Sequence, residues 1–184
     1  LHHIDRAVRN GDWICPRGVS LAGKTFGVVG VGNIGSTVAK RAHALGMDVL
    51  GNDVRPFPES LKSEIDIERV DRDELLDRSD IVSLNCALTP ETRKMIGSEE
   101  LDRIGENGYL INTSRGELVN QPALADALHS GTIAGAALVG FETEPLPAAD
   151  TSADSDNAIL GSHNAHYTEE EDSRATYRAL HTIV

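Results

Sequence analysis

Short apolar runs alternate with segments of helical periodicity along the whole of this 184-residue chain. The apolar runs predict strands, at KTFGVVG (24–30), MDVLGND (47–53), IVSLNCAL (81–88), GYLINT (108–113), IAGAALV (133–139) and AIL (158–160). The pattern between them predicts helices at 33–45, 71–80, 89–97, 98–105, 121–131 and 168–184, and a loop at 54–64. Because the strands are continuous apolar runs rather than alternating ones, we expect a parallel sheet covered on both faces.

Residues typical of helix ends support several of these helices. Asp71, Thr89 and Ser98 are predicted N-caps, since their side-chain oxygens can accept a hydrogen bond from the first helical turn. Pro122 and Gly131 mark the start and end of the 121–131 helix. The chain opens and closes in helical patterns without other terminal signals. We therefore expect residues 1–184 to be one domain of a longer protein.

Charge and cysteine content narrow the class of protein. The net charge of −12 argues against a nucleic acid or an anionic membrane surface as a partner. No apolar stretch reaches the ~20 residues of a membrane span. Cys15 and Cys86 are far apart, which indicates neither a disulfide framework nor a zinc site and fits a reducing cytoplasm. We therefore expect a cytoplasmic globular domain.

The segment GVGNIG follows the first predicted strand and opens the next helix, at Asn33 and Ile34. Its glycines match the G-x-G-x-x-G fingerprint of dinucleotide-binding proteins. Gly30 permits a tight turn, Gly32 lets the backbone approach a pyrophosphate, and Gly35 lets helix and strand pack closely. The helix N-terminus favours the anion. A glycine-rich turn without a ligand is the alternative.

Asp53 ends the second predicted strand, where dinucleotide-binding folds carry an acid. Its carboxylate would accept hydrogen bonds from the adenosine ribose and repel a 2′-phosphate, which favours NAD over NADP. Arg55 is close enough in sequence to accommodate that phosphate, so NADP stays an alternative.

Three further groups of polar residues follow predicted strands. They are Arg115 in NTSRG, Glu142 and Glu144 in FETEPLP, and His163 and His166 in SHNAHYT. The glutamates and the histidines, taken alone, are more often surface residues, and a solvated turn arginine is the alternative for Arg115. Because ligands bind at the carboxyl ends of strands in an open parallel sheet, their shared position favours a role beside the dinucleotide.

Four motifs in order, GKTFGVVGVGNIG, LINTSRGELVN, GAALVGFETEPLP and SHNAHYT, resemble the NAD-binding domain of the D-isomer-specific 2-hydroxyacid dehydrogenases. The resemblance runs from about Trp13 to the end and implies an α/β, Rossmann-type doubly wound parallel sheet. It implies an NAD-dependent oxidoreductase that transfers hydride between nicotinamide and a small D-2-hydroxy or 2-oxo acid. It also implies that the substrate domain is absent from this chain, which alone would be inactive, and a homodimer formed around residues 5–22.

The resemblance implies a catalytic set of Arg115, Glu144 and His163. A guanidinium can bind the carboxylate of a 2-oxo acid and polarise its carbonyl. A histidine can donate the proton, and an adjacent carboxylate can orient the ring and stabilise the imidazolium. The implied cofactor-binding residues are Gly30, Gly32, Asn33, Ile34, Gly35, Asp53, Cys86, Ala87, Thr92, Thr113, Ser114 and Val139.

The chain departs from the family pattern at three places. Val139 stands where the family has an Asp that contacts the nicotinamide carboxamide. Asn85 and Ala87 alter the family's L-H-x-P-L, and Ser162 replaces a Pro before His163. The alternative function is an NAD-sensing binding protein like the corepressors of the same family. The retained Arg, Glu and His favour the enzyme.

Overall fold

The computed structural model describes residues 2–148 and 150–168 of the chain. Within them, seven strands form one sheet. The strands are β1 (Thr25–Val29), β2 (Asp48–Asn52), β3 (Ile67–Arg69), β4 (Ile81–Leu84), β5 (Tyr109–Asn112), β6 (Gly135–Leu138) and β7 (Ala158–Leu160). Every pairing is parallel, and the order across the sheet is β3-β2-β1-β4-β5-β6-β7. The order reverses between β1 and β4, so a crevice opens at the carboxyl ends of these two strands.

Helices connect the strands. They are α1 (His2–Arg9), α2 (Asn33–Ala44), α3 (Glu59–Glu64), α4 (Arg72–Arg78), α5 (Ser98–Ile104) and α6 (Gln121–Ser130), with 3-10 helices at Gly116–Leu118 and Thr151–Asp154. In the part of the chain that the structure describes, no helix is both long and apolar enough to cross a lipid bilayer.

Both faces of the sheet are buried against helices. Successive residues of a strand face opposite sides, and β1 shows this at its end. Val28 packs in an apolar cluster that includes α2 and α3, whereas Val29 packs with α4, α5 and α6 on the other face. The predicted doubly wound sheet is therefore confirmed.

The six predicted strands are confirmed with shorter bounds, and α1, α2, α4, α5 and α6 match helical patterns in the sequence. Two of the predicted elements were wrong. The segment 54–64 contains α3, and β3, which follows it, was not predicted. Residues 89–97 contain a single turn rather than a helix, because Lys94 has φ +54° and its N–H donates to the Glu117 carbonyl instead of continuing a helix. The predicted final helix lies, apart from Thr168, outside the described residues.

The predicted caps have mixed outcomes. The Asp71 carboxylate accepts a hydrogen bond from Glu74 N at 2.8 Å, which confirms it as the N-cap of α4. Ser98 is the first residue of α5 and not its cap, because Gly97 holds that position. The Glu100 carboxylate reaches back to Gly97 N at 2.9 Å and satisfies its donor.

Candidate active site

The glycine-rich turn between β1 and α2 has the shape that a dinucleotide requires. Gly30 has φ +89°, and a Cβ there would lie 2.6 Å from Cys86 N. A Cβ on Gly35 would lie 1.9 Å from the Gly30 carbonyl oxygen. At Gly32, by contrast, the nearest atom would be Arg55 Nη2 at 3.8 Å, so the space over this glycine is open. Because this space adjoins the N-terminus of α2, the turn fits the pyrophosphate of a dinucleotide.

Asp53 is held at the end of β2 by two backbone donors. Its Oδ2 accepts from Val31 N at 2.7 Å, and its Oδ1 accepts from Arg55 N at 2.8 Å. The side chain is 10% exposed, and its oxygens retain lone pairs for ribose hydroxyls. Arg69 donates to the carbonyls of Asp53 and Arg55, which fixes this turn. The carboxylate therefore fits the ribose of NAD, while the exposed Arg55 lies beside it with Nε 3.9 Å from Oδ1.

The loop after β4 forms the other wall of the crevice. Thr92 Oγ1 donates to the Ala87 carbonyl at 2.8 Å, which closes the loop on itself. The Cys86 thiol is partly buried 3.8 Å from Met95 Sδ. Burial, and to a smaller extent the Asp53 carboxylate, raise the pKa of the Cys86 thiol, so it stays protonated at neutral pH. Among the described residues nothing hydrogen-bonds to the buried Oδ1 of Asn85.

Arg115 is positioned by the end of β5. Buried Asn112 donates from Nδ2 to the Arg115 carbonyl at 2.8 Å and accepts from Ser114 N at 3.1 Å. Ser114 Oγ donates to the Leu84 carbonyl at 2.9 Å, which joins this turn to β4. A Cβ on Gly116 would lie 2.1 Å from the Phe141 carbonyl carbon, so only glycine lets the two loops touch. The turn is rigid, while the Arg115 side chain is exposed at its tip.

Glu144 and His163 form a hydrogen-bonded pair. His163 Nδ1 lies 2.8 Å from Glu144 Oε2 and 3.0 Å from Oε1. A carboxylate only accepts, so Nδ1 carries a hydrogen, which leaves Nε2 as the ring atom that can hold or release a proton. His163 has φ +55°, and its backbone N–H donates to the Val139 carbonyl at 2.8 Å, which holds the His163 backbone at the end of β6.

The charge of Glu144 is set by its neighbours. The Phe141 N–H, 2.9 Å from Oε1, lowers the pKa of the Glu144 carboxyl most, followed by the hydrogen bond from His163. The charge of Arg115 lowers this pKa by the smallest contribution. A Cβ on Gly140 would lie 3.3 Å from Glu144 Oε1 and 3.9 Å from the Arg115 carbonyl carbon, so the Arg115 backbone is close to Glu144. The structure thus brings together the three predicted catalytic residues at one edge of the sheet. An open cleft of about 470 Å³ adjoins the pair, with Phe141 and Leu146 in its wall.

The two glutamates of FETEPLP have different partners. Glu142 Oε1 accepts from Gln121 N at 2.8 Å, and its Oε2 lies 2.9 Å from Lys94 Nζ. Burial alone would raise the pKa of Glu142, but the Gln121 donor and the Lys94 ammonium together hold it below its usual value. Glu142 is thus engaged in a structural contact, and Glu144 is the carboxylate that meets a histidine. Sequence reasoning missed Gln121 and Lys94, because neither follows a strand or belongs to a motif.

The remaining predicted residues lie along the same edge. Asn33 and Ile34 form the exposed first turn of α2, and Thr113 is exposed after β5. Val139 is half-buried and binds through its backbone to Asn112 and His163. The His166 ring meets the His163 ring edge-on, with centroids 6.2 Å apart. These residues thus lie at the carboxyl edge of the sheet, and their contacts with a cofactor stay predictions.

Comparison with known proteins gives a consistent result. Residues 1–165 match the family model described as "D-isomer specific 2-hydroxyacid dehydrogenase, NAD binding domain". The glyoxylate reductase of Korarchaeum cryptofilum is 43% identical over 98% of this chain, which spans 56% of that protein. The D-3-phosphoglycerate dehydrogenase of Methanocaldococcus jannaschii is 39% identical over 92% of the chain and 32% of its own length. The chain thus spans about half the length of such relatives, or less.

Solved structures agree in fold. The D-lactate dehydrogenase of Aquifex aeolicus, complexed with NAD and lactic acid, superposes with a TM-score of 0.89 at 33% identity. The match covers 98% of this chain and 59% of that one. The D-lactate dehydrogenase of Lactobacillus jensenii with NAD+ gives a TM-score of 0.87 at 30% identity, over 97% of this chain and 58% of its own.

Proposed function

Because this chain belongs to the D-isomer specific 2-hydroxyacid dehydrogenase family as its NAD-binding domain, we propose that the protein carrying it reduces small 2-oxo acids to D-2-hydroxy acids. The observation that carries this proposal is the Glu144–His163 pair, 2.8 Å apart at the strand edge that also bears Arg115. The relatives' names, which include glyoxylate reductase and D-lactate dehydrogenase, support substrates of this size.

The three side chains divide the chemistry between them. A bound nicotinamide cofactor supplies the hydride. The Arg115 guanidinium binds the substrate carboxylate and polarises the neighbouring carbonyl, because its planar fork can donate to a carboxylate oxygen and to the carbonyl oxygen at once. His163 Nε2 holds the proton that the carbonyl oxygen takes up on reduction. Glu144, bonded to Nδ1, keeps the ring in place and stabilises its charged form.

A second function, NAD sensing without turnover, is favoured by one observation. Val139 places a half-buried apolar side chain where the family has an acid. An aliphatic group cannot accept a hydrogen bond from the nicotinamide carboxamide. A sensor would bind NADH and show no oxidation of it with any oxo acid.

We further propose a homodimer, in the cytoplasm. Residues 10–23 are exposed throughout, and Trp13 and Val19 expose 85% and 72% of their surface. Apolar side chains this exposed, close together along the chain, are typical of a surface that another protein covers. The two cysteines are free, which suits a reducing compartment.

The proposed function is tested with the full-length protein that contains this chain. NADH oxidation is followed with glyoxylate, pyruvate, hydroxypyruvate, 2-oxoisocaproate and phosphohydroxypyruvate in turn, and NADH binding is measured separately. We expect turnover with at least one acid, and its loss in Arg115→Gln with NADH binding retained, because this guanidinium contacts substrate and not cofactor. Tight NADH binding without turnover on any acid would replace the enzyme with the sensor.

A further inference from the structure

Gln121 joins two points of the loop that carries Glu144. It is the first residue of α6 and is 8% exposed. Its Oε1 accepts from Glu142 N at 2.8 Å, and its Nε2 donates to Asp150 Oδ2 at 2.6 Å. Its own N–H donates to Glu142 Oε1 at 2.8 Å. One buried side chain therefore fixes the backbone two residues before Glu144 and the carboxylate of Asp150 beyond it.

Lys94 holds the other oxygen of Glu142. Its Nζ lies 2.9 Å from Glu142 Oε2. The Lys94 backbone has φ +54°, a left-handed conformation that is strained for a non-glycine residue. Its N–H donates to the Glu117 carbonyl at 2.7 Å, just beyond Arg115. Through these two contacts, Lys94 in the loop after β4 is joined to the loops that follow β5 and β6.

The Phe141 N–H transmits this restraint to Glu144. It donates to Glu144 Oε1 at 2.9 Å, and Phe141 directly precedes Glu142. If Glu142 moves, the Phe141 donor and the Glu144 carboxylate move with it, while His163 is held separately by the Val139 carbonyl. The distance from Glu144 to His163 Nδ1 therefore depends on Gln121 and Lys94.

We propose that Gln121, together with the Glu142–Lys94 ion pair, is a positioning device that holds Glu144 against His163. In this proposal they act through Glu144, by way of their contacts with Glu142 and the Phe141 N–H. The expected effect on turnover rests on the proposed function, whereas the expected effect on the Glu144–His163 hydrogen bond does not.

The test compares Gln121→Leu, Lys94→Met and Lys94→Arg in the full-length protein. The matched control is Lys24→Met. Lys24 Nζ lies 2.6 Å from Asp80 Oδ1 at the amino edge of the sheet, and this ion pair is about as exposed as the one between Lys94 and Glu142. Selective ¹⁵N-histidine labelling reports the hydrogen-bonded Nδ1 proton of His163, assigned by its loss in His163→Asn. The pH profile of 2-oxo acid reduction reports the same pair in turnover.

We expect Gln121→Leu and Lys94→Met to lose the Nδ1 signal and to lower kcat about 10- to 100-fold, with the NADH KM little changed. The alkaline limb of the pH profile moves to lower pH in both, whereas Lys94→Arg and Lys24→Met keep the signal and the profile. The positioning role is overturned if the variants only lose thermal stability while signal and profile stay unchanged. Should Gln121→Leu not fold, Lys94→Met decides alone. The Nδ1 signal decides even if no oxo acid is turned over.

Discussion

The roles of Glu142 and Glu144 are set by the donors that face each carboxylate. The two glutamates are separated by one residue in an acidic motif. Glu142 contacts the Lys94 ammonium and the N-terminus of α6, whereas Glu144 contacts the His163 imidazole. The dipole of α6 also stabilises the negative charge of Glu142, which lies at the N-terminus of this helix. Only Glu144, which lies beside the His163 imidazole, can assist proton transfer.

Glu144→Gln tests the charge of the pair. The pKa of Glu144 lies below its ordinary value of 4.5, so the carboxylate is anionic throughout an assay near neutral pH. The anion stabilises a positive charge on the adjacent imidazole, and the neutral glutamine amide does not. We expect the alkaline limb of the reductive kcat/KM profile to move to lower pH and kcat to fall about 10- to 100-fold. Glu106→Gln, in an exposed turn at the opposite edge of the sheet, is the control. An unchanged profile would remove Glu144 from this role.

The elements show which physical signals a sequence carries. Long, uninterrupted apolar runs predicted β1, β4, β5 and β6, because strands buried on both faces need such residues. The short edge strand β3, in which Ile67 is half-buried and the other two residues are exposed, has no such run. Residues 89–97 have a helical pattern, but the Lys94 and Ile96 N–H groups donate to the Glu117 and Leu118 carbonyls of another loop, so the helix does not continue.

The same contrast applies to the site. The glycine turn and Asp53 were predicted from a motif and its place after two strands. Arg115, Glu144 and His163 were candidates by their place at strand ends, and the family resemblance implied them as a catalytic set, which stays a prediction. The restraint by Gln121 and Lys94 was not predicted, since it depends on contacts between loops far apart in sequence. Such contacts leave no periodic pattern in the chain.

Asp71→Ala tests a predicted element boundary. The carboxylate caps α4 through Glu74 N at 2.8 Å, and alanine leaves that donor without its partner. We expect the free energy of unfolding to fall by about 1 kcal/mol, measured by urea denaturation. Asp102→Ala, in the exposed middle of α5, is the control and should be neutral or slightly stabilising, because alanine has the higher helix propensity. Equal losses in both variants would contradict the capping role.

At the scale of the whole molecule, partly buried carboxylates join segments at both edges of the sheet. Asp80 binds Lys24 and the Thr25 N–H at the start of β1, whereas Glu142 and Asp150 bind Gln121 at the carboxyl edge. Burial acts to raise the pKa of all three, but their hydrogen bonds and, for Asp80 and Glu142, lysine partners bring each below its ordinary value. Each therefore binds protons more weakly in the folded chain than in the unfolded one.

Acid stability should depend on these three carboxylates. Because their folded-state pKa values are lowered, the stability that they contribute is present above the unfolded values of 3.8 for Asp and 4.5 for Glu. It is lost as the pH falls through the folded values, since the unfolded chain then binds more protons. We expect the free energy of unfolding, measured in urea from about pH 7 to about pH 3, to fall steeply only in its acidic part. A triple variant Asp80→Asn, Glu142→Gln, Asp150→Asn should be less stable at neutral pH and show a shallower acid slope. Asp102→Asn should retain the slope, and an equally steep slope in the triple variant would place the acid sensitivity in other groups.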